Sequence, residues 1–399
     1  MDFAVPENTR ALLDKAQRFV DETLIPLEPE VLGKSWREIE PLLGEQRRQA
    51  KSLGLWAPNL PTEVGGLGLP LVDLGLMSEV MGQTPFGHYV FGAQAPDAGN
   101  AELLLEHGTD EQREKYLKPL AAGDIRSCFA MTDRNTAGSN PTLLKATATR
   151  DGDDYVIDGH KWFTSSFDGA DFTIVMAVTN PDAHKYLRAS MIIVPTDHPD
   201  LEFVRNVPVM GHAGDGYFSH AELKFHGVRV PESNRLGPEG QGFVLAQQRL
   251  GPGRIHHCMR WLGICKRAQK LLVEQALSRE VAEGQKLADQ QTIQNWIAEN
   301  AAEIEAARSM VLKAAWTGDN HGFKAARNEI AMIKYYVAGV LQRVVDRALQ
   351  AHGALGMTDD TVLAFYYREE RAARIYDGPD EVHKRSVARQ ILGEAAGRA

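Results

Sequence analysis

Cysteine is scarce in this chain. Its three residues, Cys128, Cys258 and Cys265, are widely spaced, odd in number and without a C-x-x-C pair. A disulfide framework is therefore excluded from the reading, and the thiols are expected to be ordinary buried ones in a reducing compartment. No apolar run approaches the roughly 18 residues of a membrane span. Met1-Asp2-Phe3-Ala4-Val5-Pro6-Glu7 lacks a basic stretch followed by an apolar one, so no secretory signal is read and the cytoplasm is the expected location. Positive charge is short as well: the net charge is −9 with no Lys/Arg stripe, which argues against a nucleic-acid partner. There is no H-E-x-x-H, and His256 and His257 are adjacent and so diverge on a helix; no metal is expected. The G-x-S-x-G elbow of acyl hydrolases is missing too. Gly65-Gly66-Leu67-Gly68 has the wrong spacing for a dinucleotide fingerprint, no strand before it and Pro70 after it.

What is present is a chain of 399 residues, 43% hydrophobic, too long for one ordinary core. Residues 1–124 read as helices. Glu7 to Thr23 carries Leu12, Leu13, Ala16, Phe19 and Val20 on one stripe, and Leu42 to Leu53 follows. Asn100 to His107 and Thr109 to Ala121 close the segment, the last behind the cap Thr109-Asp110-Glu111-Gln112. Over residues 125–237 the texture changes to short β-branched strands, with a hairpin about Asp151-Gly152-Asp153-Asp154. An antiparallel barrel or sandwich is expected there. Residues 238–399 return to long amphipathic helices: Gln241 to Val281, broken at Gly251-Pro252-Gly253, then Ala288 to Trp316, Phe323 to His352, Thr361 to Ile375 and Asp380 to Leu392. Short loops between them predict a helical bundle. The fold class is mainly α with a central β domain.

Three stretches carry polar groups suited to chemistry. In Tyr376-Asp377-Gly378-Pro379-Asp380-Glu381, Gly378-Pro379 breaks one charged helical run and starts another, with Pro379 suited to the first helical position. Asp377 thus sits at a sharp joint, where read alone it fits a helix cap or a turn. Cys128 to Asn140 is rich in small and hydroxyl-bearing residues whose backbone N–H groups suit a polar heterocycle or phosphate; read alone it is a connecting loop. Trp162-Phe163-Thr164-Ser165 sets an aromatic pair beside hydroxyls, which suits a flat cofactor or a plain core.

Gly108-Thr109-Asp110-Glu111-Gln112-Arg113-Glu114-Lys115-Tyr116-Leu117, the Cys128 to Ser139 loop, Gly159-His160-Lys161-Trp162, Gln350-x-x-Gly353-x-x-Gly356 and Tyr376-Asp377-Gly378 occur together in one order. In that order and spacing the chain resembles the flavin-dependent acyl-CoA dehydrogenases over nearly its full length. The resemblance implies a helical domain, a β domain and a four-helix domain, with FAD bound between the last two and without a Rossmann fold. It implies that Phe129, Met131, Thr132 and Gly138 line the flavin. Ser139 would meet a phosphate-bearing part of FAD or the acyl-CoA, and Trp162 and Thr164 would lie against the isoalloxazine. Arg279, Gln350 and Gly353 resemble positions that reach the FAD of a neighbouring subunit. Arg254 matches an arginine that contacts the CoA portion, Gly378 adjoins the substrate, and Asp377 aligns with the proton-abstracting glutamate. A homotetramer built as a dimer of dimers, an acyl-CoA substrate in fatty acid metabolism and an electron-transfer flavoprotein or other acceptor complete what the resemblance implies.

The chain also departs from the common pattern. Aspartate replaces glutamate at the base, Pro379 stands where threonine is usual, and Arg-x-x-Phe-Gly becomes Arg279-Glu280-Val281-Ala282-Glu283-Gly284. These features resemble a branch of the family that uses aspartate, some members of which are fused to a kinase-like domain and linked to 4-hydroxyacyl-CoA breakdown. An exposed aspartate, with a reference pKa of about 3.9, is a feeble base, so burial against the acyl chain is expected to raise it. Its carboxylate stands back by roughly 1.5 Å, one C–C bond, which makes room for a branched or hydroxylated acyl chain. The alternative reading is an oxygen-using oxidase on the same scaffold, similar to the nitroalkane oxidases.

Overall fold

Local signals start the helices, and burial decides where they run. The computed structural model describes residues 5–397. Helix α1 (Glu7–Phe19) buries Ala16 and Phe19. Helix α2 spans Trp36–Ser52 and opens at a capping box, in which the Ser35 N–H donates to Glu38 at 2.9 Å. It begins six residues before the expected Leu42, with Pro41 inside it. Trp36, 5% exposed, is tethered by its N–H to Asp215 at 2.7 Å, and this long-range anchor outweighs the proline. Helix α3 (Leu71–Met81) is almost wholly buried, Glu79 included, so its sequence shows no helical period. It lies between the core of the N-terminal helices, which holds Met77, Val80 and Met81, and that of the C-terminal bundle, which holds Leu71 and Leu76. Helix α4 follows at Asp97–His107.

The central strands are β1 (Ser127–Ala130), β2 (Thr147–Asp151), β3 (Asp154–Ser165), β4 (Phe172–Val178), β5 (Ala189–Pro195), β6 (Leu201–Asn206), β7 (His220–Pro231) and β8 (Arg235–Leu236). They form one sheet in the order β6-β7-β3-β2-β4-β5-β8, with β1 beside β4. The sheet is mixed: β1 runs parallel to β4, and β2 meets β4 in parallel at the single pair Thr147–Val178. The remaining pairings are antiparallel. Both faces of β4 are covered. Val175 and Ala177 face the interior of the sheet with Tyr155 and Leu223, while Phe172, Ile174 and Met176 pack on Leu104, Tyr116 and Leu117 of the N-terminal helices. Burial on two faces explains its unbroken apolar run.

Helix α5 (Gly242–Ser278) is continuous through Gly251-Pro252-Gly253, where the sequence predicts a break. The run Gln291–His352 turns at Gly322, whose φ of 78° separates α6 (291–321) from α7 (323–352). Helices α8 (Val362–Glu369) and α9 (Asp380–Ala395) complete the chain. α3 meets α5 almost backbone to backbone: a Cβ on Gly263 would stand 2.2 Å from the Glu79 carbonyl oxygen, and one on Gly82 2.3 Å from that of Arg260. Gly263→Ala should therefore lower stability by about 1–3 kcal/mol through overpacking. Chemical denaturation of the purified variant measures this; an unchanged midpoint would show that the two helices separate at no cost.

Candidate active site

The Asp377 joint is built by three helices. After a 3-10 turn at Glu370–Arg374, Asp377 stands at φ 54° and Gly378 at φ 100°. Pro379 is the residue flanking α9 rather than its first helical one, and it offers no side-chain cap. A Cβ on Gly378 would lie 2.7 Å from His383 Nε2, so only glycine fits that turn. The Asp377 carbonyl accepts from Arg254 Nε at 3.0 Å on α5 and from His383 Nε2 at 3.1 Å on α9. From α7, the Lys334 ammonium donates to the Ala373 carbonyl at 2.6 Å and to that of Gly378 at 3.3 Å. Lys334 is fully buried. The Tyr376 hydroxyl accepts from Arg260 at 2.9 Å and from Trp261 Nε1 at 3.1 Å, and Arg260 forks onto Glu370.

The Asp377 side chain caps no helix. Its Oδ2 lies 3.2 Å from His257 Nε2, and the residue is half-buried. Burial alone would raise its carboxyl, as the sequence reading expects. The contact and charge of His257, then Arg254 and Arg249, more than offset that burial and hold the group well below the usual carboxylate range. Asp380 is spoken for: its Oδ2 accepts from Arg374 at 2.7 Å, and it is 3% exposed.

The second component is the Cys128 to Asn140 segment. Buried Lys161 holds it by donating to the Met131 carbonyl at 2.9 Å and pairing with Asp133 at 2.6 Å. Asp133 in turn accepts from the Ala146 N–H at 3.1 Å, and the Trp162 N–H donates to the Thr132 carbonyl at 3.1 Å. The loop folds back on itself, for a Cβ on Gly138 would sit 3.1 Å from the Thr132 methyl. Phe129, Met131 and Thr132 are half-buried, and Gly138 and Ser139 are exposed. Arg249, on α5, lies over the Phe129 ring at 4.5 Å and links this loop to the helix that carries Arg254 and His257.

The β3 stretch carries a bulge. The β3–β7 register shifts between Lys161 and Thr164, and Phe163 takes φ 51°. Thr164 is buried, and its Oγ1, like Trp162 Nε1, has no hydrogen-bond partner among the described residues. The Arg134 guanidinium covers Trp162 at 4.2 Å. The accessible groups are Phe163, 43% exposed, and the Ser165 hydroxyl, which lies 2.8 Å from His220 Nδ1. An open aromatic ring, hydroxyls at Thr132, Ser139 and Ser165, and the buried, unpartnered Trp162 Nε1 suit a flat polar heterocycle such as a flavin. Among the described residues no cluster of His, Cys, Asp and Glu is arranged to hold a metal ion.

Arg279, Gln350 and Gly353 are not brought to Asp377. They are exposed at the ends of α5 and α7, Arg279 being about 37 Å along the helix from Arg254. Arg279 leads into an exposed hairpin of Glu280–Ala282 and Gln285–Lys286. The sequence reading gave no role to Arg249, His257 or Lys334, and named Phe163 and Ser165 only as members of the Trp162 to Ser165 stretch. Two of these carried a signal: Arg254, His257 and Trp261 share one helical face by spacing, and Lys334 is a lone charge in an apolar stripe.

Family comparisons agree with this geometry. The N-terminal, middle and C-terminal domain models of acyl-CoA dehydrogenase match residues 6–124, 128–228 and 240–392. The chain belongs to the acyl-CoA dehydrogenase family. FadE2 of Mycobacterium tuberculosis, named a probable acyl-CoA dehydrogenase, is 43% identical over 98% of this chain and 97% of its own length. Acyl-CoA dehydrogenase family member 10 of Mus musculus is 41% identical over 96% of this chain, which spans only 37% of that longer protein. A solved Mycobacterium abscessus structure assigned to the acyl-CoA dehydrogenases is 36% identical and superposes with a TM-score of 0.94, covering 98% of this chain and 100% of its own. No helix among the described residues of this family member is long and apolar enough to cross a membrane.

Two histidines, His383 buried and His256 half-buried, give the site an acid limit. Burial, with His257 beside it, pushes His256 down to about 4, and burial, with Arg254 beside it, pushes His383 down to about 4. Between about pH 6.5 and pH 4 the unfolded chain binds these protons and the folded one does not, so stability falls as pH falls through that window. Each contributes up to about 3 kcal/mol. Denaturation midpoints of His256→Gln between pH 7 and pH 4, taken as about the span above, should slope less than wild type; equal slopes would place the titration elsewhere.

Proposed function

We propose that this chain is an FAD-dependent acyl-CoA dehydrogenase in which Asp377 removes the α-proton of an acyl-CoA thioester. The single observation that carries the reading is the Asp377 carboxylate itself. It is half-buried, ionised, free of any capping role, and held beside His257 and Arg254 at a joint whose backbone is fixed from three helices.

Binding of the cofactor falls to the Phe129 to Ser139 loop, with Met131, Thr132 and Gly138, and to the β3 bulge with Trp162, Phe163 and Ser165. FAD, when bound, supplies the two-electron acceptor for hydride from the substrate's β-carbon. The residues of this chain supply position, polarity and the proton acceptor. A thioester laid against Asp377 excludes water there and adds burial, the influence that raises a carboxyl, so the base gains strength when substrate is present. Gly378 leaves room beside the substrate. Arg254 adjoins the Asp377 carbonyl, so its contribution extends to the base as well as to the CoA portion. Arg279, Gln350 and Gly353, exposed at the far end, support a homotetramer in which they serve a neighbour's FAD; exposed Leu277, Val281, Leu355 and Met357 offer apolar surface for that contact.

The shorter arm of aspartate supports a branched or hydroxylated acyl chain, with an electron-transfer flavoprotein or another acceptor reoxidising the flavin. Three unpaired, buried thiols support a cytoplasmic setting. An oxidase reading has no observation of its own, and FadE2 and family member 10, at 43% and 41% identity, carry dehydrogenase names.

Anaerobic mixing of the FAD-loaded protein with a panel of acyl-CoA thioesters tests the reading. The flavin band should bleach and recover slowly in air. Asp377→Asn should stay folded, yellow and able to bind substrate, with flavin reduction slowed by about 10²–10⁴-fold. Reduction at the wild-type rate in that variant would end the assignment of the base.

A further inference from the structure

The environment of Asp377 contains a partner that a lone carboxylate base does not require. His257 Nε2 lies 3.2 Å from Asp377 Oδ2, and among the described residues no other side-chain donor is seated on that carboxylate. The imidazole is itself held on two sides. It stacks over Trp261 with centroids 6.2 Å apart and planes 19° apart, and it meets the Tyr376 ring nearly edge-on at 5.3 Å and 65°. Both aromatic rings are locked in turn, because Trp261 Nε1 donates to the Tyr376 hydroxyl and Arg260 donates to the same oxygen. The ring therefore has little freedom to leave the carboxylate. Arg254, through Nε, and His383 donate to the Asp377 backbone carbonyl and make no hydrogen bond to its carboxylate.

We propose that His257 is the positioning residue of the proton-abstracting step, holding Asp377 through Oδ2 so that Oδ1 is presented to the substrate's α-carbon. The proposal rests on Asp377 being the base. In the step it serves, the α C–H proton would pass to Asp377 and the electron pair left on the α-carbon would form the new double bond, while FAD, when bound, would supply the acceptor for the β-hydride. Neither a proton nor an electron is transferred to His257; its part is to fix one oxygen so that the other has a single direction. An aspartate has two side-chain torsions where a glutamate has three, and tethering one oxygen restricts both. The reach lost with the shorter side chain is then recovered as orientation.

The groups surrounding the imidazole are known from every packed element. Arg254, His256 and Arg260 lie on its own helix, Tyr376 and Asp377 on the joint, His88 on the short helix Gly87–Val90, and Lys334 of α7 over the Trp261 and Tyr376 rings at 5.4 and 5.5 Å. Asp377 is the acidic side chain in direct contact with it.

The test uses the FAD-loaded protein and two variants, His257→Ala and His257→Gln. Flavin reduction by an acyl-CoA that bleaches wild type should slow by about ten- to a hundredfold in His257→Ala, the range expected for losing a charge-assisted contact. Substrate affinity should hold within about threefold, and the glutamine variant, which keeps an N–H donor, should recover part of the rate. A second readout needs no turnover: carboxyl-¹³C aspartate labelling, with Asp377 assigned through Asp377→Asn. In His257→Ala the Asp377 carbon should titrate at higher pH than in wild type, because burial is then less opposed. A wild-type reduction rate in His257→Ala overturns the proposal. So does a slowed rate accompanied by an unmoved Asp377 titration and a lowered melting temperature, which marks a structural role. If no acyl-CoA bleaches wild type, the proposed function fails instead, while the carbon titration still decides the pairing.

Discussion

The carbonyls of Asp377 and Gly378 accept hydrogen bonds from Arg254, His383 and Lys334, and on these contacts the geometry of the site depends. A non-glycine residue in the left-handed region costs on the order of 1–3 kcal/mol. Each donor returns roughly 0.5–1.5 kcal/mol, more where the donor is charged, so the three together can hold Asp377 in that conformation. They arrive from α5, α9 and α7, which means that the joint takes its shape only when the bundle is assembled. The same dependence explains Lys334. A fully buried ammonium is expensive to desolvate, and its placement makes sense because both of its acceptors are carbonyls of this one turn.

Electrostatics at the joint set two requirements against each other. A base must be ionised before it can accept a proton, and it must be strong enough to take a weakly acidic one. His257, Arg254 and Arg249 secure the first by holding the carboxyl below its usual range, at the expense of the second. Under the proposed function, substrate burial would act in the opposite direction, and only where a thioester lies against the carboxylate. Basicity would then rise at the moment it is useful, and a resting carboxylate does not drift to its neutral form. Two histidines add to the arrangement without adding charge: His256 and His383 remain neutral to about 4, so His383 donates to the Asp377 carbonyl as a neutral ring through the physiological range.

Much of the architecture was legible from periodicity alone. Helices, then strands, then long helices follow from where the apolar spacing changes, and Gly322 separates two helical runs as the interval between Trp316 and Phe323 implies. The joint at Asp377 was legible through the Gly378-Pro379 break. What escaped did so for identifiable reasons. α3 is buried on all sides and has no polar face to phase it. β4 lies between two cores, so alternation gives no side to choose. The bulge between Lys161 and Thr164, which leaves Phe163 and Ser165 accessible and Thr164 buried, has no signal in the sequence. Lys334 could not be assigned a role because its partners are backbone atoms 39 and 44 residues away.

The expected break at Gly251-Pro252-Gly253 is the most instructive of these differences. Proline at 252 leaves the Gln248 carbonyl without its intrahelical donor, and the flanking glycines weaken the helix further, so local propensity argues for a stop. Yet α5 continues, and its continuity has a consequence for the site. At 100° per residue, Arg249, His257, Trp261, Arg260 and Arg254 fall within an arc of about 140° on one helix face. That face presents Arg249 to the Phe129 ring and the other four residues to the Asp377 joint. A helix that ended at residue 251 would separate Arg249 from the rest and uncouple the loop from the base. Continuity through the proline is upheld by packing on its far side, where Ile255, Cys258, Met259 and Leu262 are 0% exposed in the bundle core. The core sustains an unfavourable local sequence, and the alignment of the two halves of the site follows from it.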